Sequence, residues 1–153
     1  MWTGRVLEGC EVTVRRYRGG MQLRTTAFAK GGEAIAREES GRVVFVAGAL
    51  PDETVEVEIT EEHKEFARGR ATAVLEASPD RVAPPCPYVD AGCGGCDLQH
   101  ASPEAQLRLK QGIVRDVLAR IGRFAPDDLP PIDTVALAPT GYRTTVRGLV
   151  VDG

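Results

Sequence analysis

Between Gln22 and about Asp80, apolar side chains recur at every second position. Val55, Val57 and Ile59 alternate with Thr54, Glu56, Glu58 and Thr60, the pattern of a strand with one apolar face and one wet, acidic face. Leu23 to Ala29 and Ala34 to Arg37 flank Lys30-Gly31-Gly32-Glu33, where the glycine pair supplies the positive φ of a tight hairpin turn. Arg42 to Ala47 reads as a further strand closed by Gly48-Ala49-Leu50-Pro51-Asp52, and Arg68 to Leu75 as the last. About five short strands in roughly 60 residues predict a small barrel that closes its own edges. A domain this small buries only about 60% of its unfolded surface, so packing on a neighbour adds to its stability.

After Ser102 the period changes to 3.6. Ser102 can cap the amides that follow, Pro103 suits the first helical position, and Glu104 complements the positive end of the helix dipole. The pattern predicts an amphipathic helix over 103–122, stopped by Gly122. Its stripe of Leu107, Val114, Val117, Leu118 and Ile121 needs a partner surface, while Arg108 and Arg115 lie on the solvated side. Residues 124–141, with Pro126, Pro130, Pro131 and Pro139, read as a linker. Tyr142 to Val151 alternates again, as the first strand of another unit. A lone strand does not stand in water, so the chain is expected to be the front part of something longer. Four segments follow: an extension over 1–20, the barrel over 21–80, a Cys-rich loop and helix over 81–123, and a linker with one strand of an incomplete second domain over 124–153. The expected class is mainly β.

Composition is that of an ordinary globular chain, 42% apolar and 27% charged, and 19 basic against 22 acidic side chains leave a net charge of −3. That total does not announce a nucleic-acid binder, but it is unevenly distributed: +3 over 1–33, −5 over 34–81 and −1 over 82–153. Phosphate contacts depend on local clusters of Arg and Lys, so a basic face remains open. No apolar run is long enough for a transmembrane helix and the N-terminus lacks the apolar stretch of a signal peptide, so no membrane, a cytoplasmic location and a monomer are expected.

Three of the four cysteines, Cys86, Cys93 and Cys96, fall in Pro-Pro-Cys-Pro-Tyr-Val-Asp-Ala-Gly-Cys-Gly-Gly-Cys-Asp-Leu-Gln-His. Disulfides fit poorly without a secretory signal. Thiol exchange at Cys93-Gly94-Gly95-Cys96 needs a helix N-terminus directly behind it, and the predicted helix starts about six residues later. A cofactor-binding glycine turn over Asp90 to Gly95 would need a buried strand before it, where Pro84, Pro85 and Pro87 stand instead. Convergent thiolates on a metal remain. Cys86, Cys93, Cys96 and His100 make a Cys3His zinc set within the chain, and the same three cysteines without the histidine make most of an iron-sulfur site.

The segment Cys-Pro, five residues, Cys-Gly-Gly-Cys-Asp-Leu-Gln-His, followed by Gln106-Leu107-Arg108-Leu109-Lys110, resembles the iron-sulfur region of the S-adenosylmethionine-dependent RNA uracil-C5-methyltransferases. Phe28 to Arg37 and Gly41 to Glu53 are similar to the OB-like TRAM domain that opens those enzymes, and Gly141-Tyr142-Arg143-Thr144-Thr145-Val146-Arg147 resembles the start of their central domain. The resemblance implies that Cys86, Cys93 and Cys96 ligate a 4Fe-4S cluster whose fourth cysteine lies further downstream. Cys10 lies outside the matching region. It implies equally that the S-adenosylmethionine site, the nucleophilic cysteine and the base belong to residues beyond these. If the barrel binds ribosomal or transfer RNA, Lys30, Arg37, Arg42, Arg68 and Arg70 are the expected backbone contacts, with strong salt dependence. The competing expectation is a stand-alone RNA-binding module with the Cys3His zinc site.

Overall fold

The computed structural model describes residues 20–89, 93 and 95–138. The expected extension with Cys10 and the expected strand from Tyr142 to Val151 lie outside the described residues. The chain divides into two compact units, residues 1–102 and 103–153. The segment read from sequence as one piece, 81–123, is thus divided after Ser102, with the cysteine loop in the first unit and the helix in the second.

Five strands build the first unit: β1 (Met21–Phe28), β2 (Glu33–Arg37), β3 (Val43–Ala47), β4 (Thr54–Glu62) and β5 (Phe66–Glu76). They close into a barrel in the order β1-β2-β3-β5-β4, so every strand has a partner on both sides. All neighbours are antiparallel except β3 and β5, which run parallel with Phe45 opposite Arg68. The alternation along β4 is observed as expected: Val55, Val57 and Ile59 point into the core, while Glu56, Glu58 and Thr60 are exposed. Leu23, Ala34, Ala36, Val44, Val46 and Ala67 fill the rest, and their small size suits a narrow barrel. The β1–β2 turn carries Gly31 at φ 111° and Gly32 at φ 86°, the left-handed conformations the glycine pair predicted.

The turn from Gly48 to Asp52 does more than reverse the chain. Ala49 and Leu50 are fully buried, and Asp52 adopts φ 64° while its amide donates to the carbonyl of Thr25 at 3.0 Å.

In the second unit, α1 (Pro103–Arg120) begins at the expected proline, with Glu104 in its first turn and Arg120 in its last. Arg120 pairs with Asp116 one turn back. The helix ends two residues before Gly122. That glycine is nevertheless required, because a Cβ there would stand 2.6 Å from the carbonyl oxygen of Leu118. The left-handed residue of this exit is Arg123, at φ 56°. The apolar stripe is partly open: Leu107, Val117 and Leu118 are half-buried, whereas Val114 and Ile121 are exposed. The side-chain amide of Gln111 donates to the carbonyl of Ile132, tying the proline-rich stretch back to the helix. Among the described residues no helix is long and apolar enough to cross a membrane.

Candidate functional site

The five basic residues singled out from sequence all lie on the barrel, in different states of engagement. Lys30, at the tip of the β1–β2 turn, is exposed. Arg37 donates to the carbonyl of Gly41 at 3.1 Å. Arg42 is held by Glu38 at 2.6 Å and by Glu62 at 3.4 Å, which keeps the Glu38 carboxyl below its usual range, chiefly through that hydrogen bond. Arg68 pairs with Glu33 at 2.5 Å and lies over the ring of Phe45, 5.3 Å from its centroid. Arg70 pairs with Glu58 at 3.0 Å, and both side chains stand well out in solvent. The acidic face of β4 that the alternation predicted is therefore partly neutralised by the arginines of β5.

Lys30 and Arg68 border a cleft of about 420 Å³ whose other walls are Gly31, Gly32, Glu33, Ala47, Gly48 and Asp97. Asp97 follows Cys96 directly, so the cysteine loop forms one side of it. Contact is close enough that a Cβ on Gly32 would fall 2.8 Å from the Cβ of Asp97. A short row of rings reaches from the β4–β5 turn to β3: His63 stacks on Phe66 at 4.2 Å, and Phe66 meets Phe45 edge-on at 5.8 Å.

Cys86, Cys93 and Cys96 are free thiols, the first half-buried and the other two exposed. Backbone turns link them, with the amide of Val89 on the carbonyl of Cys86 at 3.4 Å and that of Cys93 on Tyr88 at 3.0 Å. As a donor set they fit a soft thiophilic metal or cluster. Among the described residues, no three His, Cys, Asp or Glu side chains are gathered as a ready-made cation site. His100, the fourth ligand of the zinc expectation, is buried, with Nε2 3.5 Å from the carbonyl oxygen of Ala49. Burial first, and then the nearby charge of Arg81, lower its pKa from 6.5, so its neutral form is favoured.

Sequence reasoning missed Glu53 and Arg81, a buried carboxylate and the guanidinium that pairs with it. Glu53 is fully buried, and its carboxylate accepts from the amides of Leu50 (2.8 Å) and Ser78 (3.2 Å) and from Nε and Nη2 of Arg81 (2.5 and 2.7 Å). Burial alone would raise its pKa. The hydrogen bonds from Arg81 and the two amides outweigh it and hold the carboxyl below the ordinary 4.5. A signal for Glu53 was present: it occupies the same phase as Val55, Val57 and Ile59, where an inward-facing carboxylate demands a partner.

Residues 24–72 match the TRAM domain, which places that domain on the barrel. The chain is 46% identical over 126 residues to an uncharacterized RNA methyltransferase of Corynebacterium efficiens, covering 82% of this chain and 29% of that protein. It is 48% identical over 117 residues to the 23S rRNA (uracil(1939)-C(5))-methyltransferase of Acidithiobacillus ferrooxidans, covering 76% of this chain and 26% of that protein. A solved Pyrococcus abyssi tRNA (uracil-54, C5)-methyltransferase, in complex with S-adenosyl-L-homocysteine, overlaps 65% of this chain and 21% of its own at 23% identity, with a TM-score of 0.43. The chain thus spans less than a third of the length of these curated relatives.

Proposed function

For a chain that carries a TRAM domain and is homologous along most of its length to RNA uracil-C5-methyltransferases, we propose that it is the RNA-binding and cluster-bearing portion of such an enzyme, acting on ribosomal RNA. The observation that carries this reading is the meeting of two features in one unit. A cleft bordered by Lys30 and Arg68 shares a wall with the loop that holds three free thiols. In this reading Cys86, Cys93 and Cys96 hold a 4Fe-4S cluster together with a fourth ligand from other residues, and the cluster's part is to fix the loop. Methyl transfer to C5 of a pyrimidine needs a nucleophile at C6. In this reading that nucleophile and the S-adenosylmethionine site are supplied by other residues of the enzyme.

The placement of His100 favours thiol-only ligation over the Cys3His zinc site. Its ring is buried against the barrel beside Ala49 and is accounted for by packing there. Anaerobic reconstitution with iron and sulfide tests the cluster directly. A brown protein containing both, which loses its colour on Cys93→Ser or Cys96→Ser and keeps it on His100→Gln, supports the proposal. A colourless protein with one zinc per chain, lost on His100→Gln, overturns it.

A further inference from the structure

The buried carboxylate of Glu53 is aimed away from the barrel's own needs. Its strands are completed by their ladders, yet three of its partners' groups, the amide of Ser78 and two nitrogens of Arg81, belong to the stretch that follows β5 and leads to Cys86. Arg81 also reaches the carbonyl of Gly48 at 2.8 Å, bracing this stretch against the β3–β4 turn. From there the neck of the cysteine loop closes. The amide of Val82 donates to His100 at 3.0 Å, that of Ser102 donates to Asp80 at 2.9 Å, and Arg81 bridges Ala101 in antiparallel fashion. The returning end is seated by His100 beside Ala49, in the same turn whose Leu50 amide Glu53 holds. Further along the loop, Asp97 rests on Gly32.

We infer that Glu53 is the positioning residue of the cysteine loop: through Arg81, Ser78 and the β3–β4 turn it fixes both ends of the loop, so that the thiols start from a closed frame before any metal arrives. The frame stands on geometry alone, whereas its benefit to a metal rests on the cluster reading above. Holding the ends together removes the closure entropy that ligands on an open chain would have to overcome, and leaves a metal only the middle of the loop to gather.

Two variants test the clamp in the metal-free 153-residue chain. Arg81→Lys keeps the charge but loses the fork that spans Glu53 and Gly48. Glu53→Gln with Arg81→Met removes both charges together, avoiding a stranded buried ion. Amide hydrogen exchange is expected to quicken at least about tenfold at Val82 and Ser102, whose amides cross the neck, with Val44, Val46 and Val57 unchanged. Neck amides that keep their protection, or lose it only together with the barrel core, overturn the clamp. Cobalt(II) titration, followed by thiolate-to-cobalt absorption, tests the positioning. Affinity about ten- to a hundredfold weaker in the variants supports it, and equal affinity overturns it. A parent chain without any thiolate-cobalt band removes the metal reading and the thiol-positioning claim, while hydrogen exchange still decides the clamp.

Discussion

Thr25 takes an inward position on β1 that an aliphatic side chain would fill without complication. Its hydroxyl donates to the carbonyl of Leu50 at 2.5 Å and accepts from the amide of Glu53 at 3.0 Å, both in the buried turn. Valine has the same shape and neither capacity. Thr25→Val is therefore expected to cost about 1–3 kcal/mol, the penalty of stranding buried polar groups, whereas Thr25→Ser keeps most of the stability. Urea midpoints of the two variants check this, and equal losses would point to packing. The neighbouring titratable groups set the response to acid. Glu53 is held below the ordinary 4.5 in the fold, so its contribution is full above that value and lost as pH falls through the lower folded value. His100 is pushed below 6.5 by burial and Arg81, so the fold favours its neutral form; that contribution too is full above 6.5 and drains away on acidification. Stability should decline in two stages as pH falls, the first beginning at about pH 6.5 and the second at about pH 4.5. Glu53→Gln should flatten the second stage and His100→Gln the first, in urea unfolding followed across the pH range.

Gly69 shows how tightly the strands are set against each other. It lies buried in β5 between Val46 of β3 and Ile59 of β4, and a Cβ there would fall 2.6 Å from Cγ1 of Val57 and 2.7 Å from the carbonyl oxygen of Glu58. The backbone oxygen cannot turn aside. Gly69→Ala should destabilise the barrel by about 1–3 kcal/mol, read as a fall in melting temperature, and adding Val57→Ala should restore only part of it because the carbonyl clash persists. Such close approaches mark the limit of what the sequence discloses. The alternation of Val55, Val57 and Ile59 revealed β4, and the Gly31-Gly32 pair revealed the hairpin, because both are local signals. The parallel pairing of β3 with β5 was not legible, since it joins segments with the whole of β4 between them. For the same reason the partners of the basic residues stayed hidden: Arg68 meets Glu33 and Arg42 meets Glu62 only once the barrel has closed. The three cysteines were legible as neighbours along the chain, but the fastening of their loop was not. Glu53 was given no role of its own in the sequence, although its phase already pointed inward.

At the scale of the whole molecule, a chain of net charge −3 that is to bind RNA must offer phosphates a surface its own carboxylates do not already occupy. The structure ranks the candidates. Lys30 is exposed at a turn, and Arg70 shares only an exposed pair with Glu58. Such pairs contribute about 0–1 kcal/mol, so a phosphate can displace the carboxylate at little cost. Arg42 is different, because its side chain is 25% exposed and bound to both Glu38 and Glu62. Withdrawing it would leave two carboxylates facing each other. Each phosphate neutralised on single-stranded RNA contributes about 0.7 to the slope of log affinity against log salt. Lys30→Ala and Arg70→Ala should each weaken binding to single-stranded ribosomal RNA segments and lower that slope by about 0.7, with the melting temperature little changed. Arg42→Ala should do the reverse, leaving the slope nearly constant and lowering the melting temperature. Fluorescence anisotropy over a salt series, paired with thermal melts, separates the two patterns. If Lys30→Ala and Arg70→Ala leave both affinity and slope intact, RNA does not bind at these two positions, and the Lys30 result removes the proposed ligand of the cleft beside the cysteine loop.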